Sequence, residues 1–159
     1  MATKELIVKM VLDRWYGAMS NWDTLLNSLT DQQLQNETAP GKNRGIYLLG
    51  HLIAVHDDML ILLNMGDKLY PALHEPFLKS PDKVVAQIPA AMELRKYWAT
   101  QCAILKQKFD GMQSADWFQK HTAVTAEDFE KELHRNKLNI VITRTTHLTY
   151  HPGQLVLLK

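Results

Sequence analysis

Leu48-Leu-Gly-His-Leu-Ile-Ala-Val-His-Asp-Asp-Met-Leu-Ile-Leu-Leu63 is the densest apolar run of the chain, and its reading decides the fold. Two histidines and two aspartates interrupt it, which makes it a poor membrane span. Leu48, Leu52, Val55, Met59 and Leu62 instead recur at intervals of three and four, the stripe of a core helix. His51 lies between Leu48 and Val55 at the same spacings and can therefore face the interior. The spacing predicts a helix from about Ile46 to Leu63, with Asn43 able to cap it and Gly66 to end it.

Working outward, three more long helical segments emerge and no alternating strand. The first runs from about Lys4 to Leu29, with Thr3 as its cap. Ile7, Met10, Val11, Trp15, Ala18, Trp22, Leu25, Leu26 and Leu29 form its apolar face. Thr38-Ala-Pro-Gly-Lys-Asn-Arg-Gly45 is a clear breaker. Asp67 to Lys79 holds Pro71 and Pro76 and reads as a long connection able to carry the chain along a bundle. Ser80-Pro81-Asp82 carries the signature of a helix start. That third helix is expected to reach about Phe109, kinked or restarted at Pro89 and closed by Gly111. Met112 to Arg135 is mixed, with Thr125-Ala-Glu-Asp128 opening a short helix. A fourth helix spans about Lys137 to Leu158. Four helices with a long connection predict a single all-α domain over 1–159, a four-helix bundle.

The chain has 159 residues, 46% apolar and 22% charged, enough for a real core. A net charge of +1 offers no footprint for nucleic acid. The start Met-Ala-Thr-Lys-Glu-Leu lacks the apolar segment of a secretory signal, and the lone Cys102 cannot form an internal disulfide. These features predict a cytoplasmic protein outside the membrane.

The chemistry concentrates in Thr145-Thr-His-Leu-Thr-Tyr-His-Pro-Gly-Gln154. His147 and His151, four apart, share one helix face and can converge on one ion. Ile140, Arg144 and Leu155 continue that face. With an inward His51, three imidazoles from two helices would make a site for a divalent metal with open positions. The pair lacks the central glutamate of a His-Glu-x-x-His metalloprotease. Histidines four apart also arise by chance in helices, as surface or hydrogen-bonded core residues. Pro152 disfavours helical geometry at His151, so the helix is expected to kink or stop there. His56, five residues after His51, points elsewhere. It reads as a solvent-bordering residue, with a place behind the ligands as the alternative. His74, His121 and His134 fall in connections or exposed positions.

Leu49-Gly-His-Leu52, followed about a hundred residues later by His147-x-x-x-His151-x-Gly-Gln154, resembles the DinB-like superfamily, and the likeness covers nearly the whole chain. It implies a four-helix bundle of up-down-down-up topology, with His51, His147 and His151 as metal ligands. It also implies a homodimer, and a small-molecule chemistry that in some relatives uses low-molecular-weight thiols. Three imidazoles leave a divalent ion uncompensated, so it would activate water or a thiol. The expected activity is metal-activated thiolate transfer or metal-hydroxide hydrolysis, with zinc, nickel and iron all suited to the donors. Tyr150, Gln154, Asp57 and Asp58 are the candidate proton-transfer groups, and Trp15 and Trp22 could line a pocket. The alternatives are a stress-linked metal-binding bundle without catalysis, and a dimeric helical protein with incidental histidines.

Overall fold

The computed structural model describes residues 3–159. The chain is all-helical, and no strand occurs among the described residues, only isolated bridges joining Glu37 to Arg44 and Lys120 to Asn136. Four long helices dominate: α1 (Thr3–Asn27), α3 (Gly45–Leu62), α4 (Ala91–Asp110) and α6 (Lys137–Tyr150). Short helices lie between and after them: α2 (Asp31–Leu34), α5 (Ala126–Lys131) and α7 (Pro152–Leu155).

The apolar stripe read in the sequence lies on α3, which is long and apolar enough to cross a membrane by length and composition alone. Of its residues, 72% are buried inside the protein, the environment of a core helix. Trp15 and Trp22 of α1, Trp98 and Phe109 of α4, and Trp117 are buried in the same core. Gln101 of α4 donates to the Ile53 carbonyl (3.0 Å) and to Asp57 (3.1 Å), locking α3 against α4. Arg95 donates to the Leu26 and Leu29 carbonyls at the end of α1, satisfying groups the helix leaves free. Helix α6 packs on α1 and α3.

Three expectations change. Thr3 is the first described residue of α1 rather than a cap outside it. Arg44, not Asn43, occupies the N-cap of α3. The third helix begins at Ala91, immediately after Pro89 and Ala90, and not at Ser80. The reason is competition for Asp82. Its carboxylate accepts from the Arg44 backbone N–H (2.8 Å) and is forked by the Arg44 guanidinium (2.7 and 3.1 Å). The acid that looks like a first-turn residue of one helix instead ties down the start of another. Lys83, at φ +72°, turns the chain away from helical geometry directly afterwards.

The Asp67–Lys79 connection carries structure of its own: a 3₁₀ turn at Pro71–Leu73 and a π-helical turn at Glu75–Lys79. Asp57 anchors its entry by accepting from the backbone N–H groups of Leu69 (2.9 Å) and Tyr70 (2.7 Å). Phe77 seats its middle, fully buried against Gly50. A Cβ at Gly50 would lie 2.3–2.5 Å from three Phe77 ring atoms, so only glycine permits this approach.

Candidate metal centre

Three imidazoles converge where α3, α6 and the start of α7 meet. His51 Nε2 lies 3.2 Å from His147 Nε2, and His151 Nε2 lies 3.0 Å from the same atom. Among the described residues no carboxylate or thiol joins this cluster.

Two of the rings are fixed from behind. His51 Nδ1 donates to the Phe77 carbonyl at 2.9 Å. A carbonyl can only accept, so the proton sits on Nδ1 and Nε2 presents a bare lone pair. Four residues after Phe77 stands Pro81, which has no N–H to claim that carbonyl, while the Ser80 N–H closes the π-helical turn onto Glu75. Tyr47, one turn before His51, stacks on its ring (interplanar angle 11°) and donates its hydroxyl to the Ser80 carbonyl at 2.9 Å. His151 Nδ1 donates to Gln154 Oε1 at 2.7 Å, which bares its Nε2 in the same way.

His147 faces both lone pairs, and its own Nδ1 is buried without a partner. As an Nε2–H donor it could serve one neighbour at a time. As the other tautomer it would add a third lone pair to the cluster. A cation satisfies all three acceptors at once. Nitrogen ligands bound at about 2.0–2.1 Å around a divalent ion lie roughly 3–3.4 Å apart, close to the spacings here. The donors therefore fit a divalent metal, and the three histidines could hold one.

Burial first, and then the neighbouring imidazoles and Arg144, hold the His147 pKa down to about 4. Burial also lowers His151, against the opposing pull of Gln154. Both rings are neutral at physiological pH, the state that ligates.

As expected, α6 stops just before Pro152, at Tyr150, but His151 is not swung out of the cluster. His151 keeps right-handed helical angles (φ −72°, ψ −30°), and Pro152 occupies the first position of α7. The N–H groups of Gln154 and Leu155 both return to the His151 carbonyl at 3.0 Å. The break thus turns the chain so that Gln154 folds back beneath His151. The expected single helix to Leu158 is α6, α7 and a terminal 3₁₀ turn at Val156–Leu158.

The other candidates separate. His56 does not border solvent: it is 0% exposed, between Trp15 (ring centroids 5.0 Å) and Trp98 (5.4 Å), with neither nitrogen partnered. Burial is the main reason its pKa falls to about 3. Trp15 is itself buried, packed on His56 and Phe109, and Trp22 is equally enclosed. Asp57 spends its oxygens on Leu69, Tyr70 and Gln101. Asp58 pairs with Lys68 at 2.5 Å. Tyr150 is 64% exposed, its ring edge-on to His151. His74 approaches Lys68, and His121 accepts from the Ala123 N–H, both away from the cluster.

Sequence reasoning missed Tyr47, Gly50 and Phe77 as supports of His51. An aromatic four residues before a candidate ligand was a usable signal for Tyr47. Nothing local announced the Phe77 carbonyl.

The family model of the DinB superfamily matches residues 14–155. A solved structure, titled as a conserved protein from Enterococcus faecalis, shares the fold with a TM-score of 0.63 at 18% identity. That match covers 98% of this chain and 94% of the other. No curated protein matches the sequence. A family match across nearly the whole chain, which takes in both ends of the histidine cluster, makes the protein a member of the DinB superfamily.

Proposed function

We propose that this chain is a single-domain metalloenzyme of small molecules, with a divalent transition metal held by His51, His147 and His151. The observation that carries the reading is the pair of bare Nε2 atoms, on His51 and His151, aimed at His147 Nε2. Zinc, nickel and iron all suit three imidazoles. Bound there, such an ion would supply Lewis acidity, lowering the pKa of a coordinated thiol or water at neutral pH. The protein's part is to keep His147 and His151 neutral, hold two of the three rings in one tautomer and leave the remaining coordination positions free of its own acids. A low-molecular-weight thiol is the favoured co-substrate, and hydrolysis is the competing chemistry.

The architecture we assign is a four-helix bundle of up-down-down-up order. Arg95 meets the end of α1 while Phe109 meets Trp15, which supports antiparallel packing of α1 and α4. Thr122, ahead of α6, bonds to the Ile61 and Leu62 carbonyls at the end of α3, which supports antiparallel packing of α3 and α6. Exposed Leu6, Ile7, Met10 and Ile142 on neighbouring α1 and α6 favour a homodimer. We place the protein in the cytoplasm, without nucleic-acid or membrane partners.

One observation favours a second reading, a metal-binding bundle without catalysis that serves a stress response. The carboxylate of Asp57 is fully engaged by the fold, and Asp58 is paired with Lys68. Elemental analysis of purified wild type and of the His147→Ala/His151→Ala variant tests the shared core of both readings. About one metal per chain, lost in the variant, is the expected result. Wild type that takes up no metal after loading with zinc, nickel or iron would overturn it. Turnover of thiol or ester substrates by the loaded protein then separates enzyme from binding protein.

A further inference from the structure

Arg144 sits one helical turn before His147 on the face of α6 that bears the histidines, about 4.5 Å along the axis. Its guanidinium Nε is buried without a hydrogen-bond partner, and among the described residues Arg144 forms no ion pair. The carboxylate whose charge reaches it is Asp58, and that group already pairs with Lys68 at 2.5 Å. The other ionisable groups that feel it are His147 and His56, both uncharged at neutral pH. Burial accordingly pulls the Arg144 pKa below its usual value.

A buried donor left without an acceptor costs free energy that an anion on the guanidinium would recover. The planar fork of Arg144 matches the two oxygens of a carboxylate. The surroundings reinforce this: three imidazoles, no carboxylate in the cluster among the described residues, and two further positive charges once a divalent ion is present. The local field is positive, and it selects anionic ligands.

From this we infer that Arg144 is a binding site for the carboxylate of a small-molecule ligand whose other end reaches the three-histidine centre. The inference rests on the metal reading given above and narrows its substrate class to carboxylate-bearing thiols or electrophiles. Arg144 is then a specificity residue, since it recognises a group remote from the reacting atom.

Two probes of equal length isolate the carboxylate: 4-mercaptobutanoate and 4-mercaptobutan-1-ol. Their dissociation constants are measured by calorimetry on zinc-loaded wild type, Arg144→Gln and Arg144→Lys, with bound zinc assayed in each. Wild type should favour the carboxylate about tenfold, the lower end of what a charge-assisted hydrogen bond supplies. Arg144→Gln should abolish the preference while leaving zinc content and alcohol affinity unchanged. Arg144→Lys should retain a fraction of it, having lost the fork. A preference that survives in Arg144→Gln, or an equal loss for both probes, overturns the inference. Should Arg144→Gln fail to fold, an unchanged preference in Arg144→Lys does the same. If wild type holds no zinc, the metal reading fails by itself, and butanoate is compared with butan-1-ol on the metal-free protein. There, a butanoate preference removed by Arg144→Gln sustains the carboxylate site, and no preference ends it.

Discussion

Replacing His56 with leucine should make the protein more stable, and more so in acid. The ring is 0% exposed and neither of its nitrogens has a partner. A buried polar atom without a hydrogen bond costs about 1–3 kcal/mol, and leucine of comparable size carries none. At pH 7.5 the gain is therefore expected at about 1–3 kcal/mol, less whatever repacking against Trp15 and Trp98 takes back. Acid adds a second term. The folded pKa of about 3 lies below the unfolded value of 6.5, so protons bind the unfolded chain first. This acid term is zero above pH 6.5. The penalty grows by about 1.4 kcal/mol per unit below that and levels off near pH 3. At pH 5 it amounts to about 2 kcal/mol. Urea unfolding at pH 7.5 and 5.0, with chelator present, reads both terms. His56→Leu should have the higher midpoint at each pH, with the gap over wild type wider at pH 5.0 by about 2 kcal/mol. A variant that is less stable at pH 7.5 and keeps the wild-type acid slope would refute the reasoning. It would mean that the ring has a partner in solution.

Three further outcomes follow from the supports of the site. Gly50→Ala should cost about 1–3 kcal/mol in urea unfolding, although alanine favours helix, because its methyl must displace Phe77. The same variant should bind metal more weakly in a chelator competition, since the Phe77 carbonyl orients His51. Gln154→Ala should lower metal affinity about 10–100-fold in that assay while changing stability by no more than about 1 kcal/mol. Asp57→Ala strands the N–H groups of Leu69 and Tyr70 and should cost about 3 kcal/mol in urea, with metal stoichiometry unaltered in whatever folds. A loss of metal on Asp57→Ala with little loss of stability would put that carboxylate in the site after all.

The long helices and the histidine cluster were legible because both are written at helical spacing. His51 shares the periodicity of Leu48 and Val55, and His147 shares that of His151, so a rule about one helix face reaches all three. The supports were not legible, for a common reason. Phe77 contributes a backbone carbonyl, which no side-chain pattern marks, and a π-helical turn has no strong sequence signature. Asp82 carried the local signal of a helix start where no helix forms, because Arg44, 38 residues away, binds its carboxylate. His56 was misread because a histidine beside two aspartates looks solvated. The placement of Trp15 and Trp98 around it is tertiary information. At Pro152 the local rule named the right position of the break. What it missed is that the break turns Gln154 back toward His151.

The contact between His51 and His147 joins residues 96 positions apart. An ion shared by them would act as a removable cross-link, closing a loop that encloses more than half of the polymer. Pulled from its ends, the loaded chain would keep that loop out of the load path until coordination ruptures. About 330 Å of contour length would then be released in one step. Chelation before pulling would erase the step, so the ion's presence could be read from a single molecule as a length.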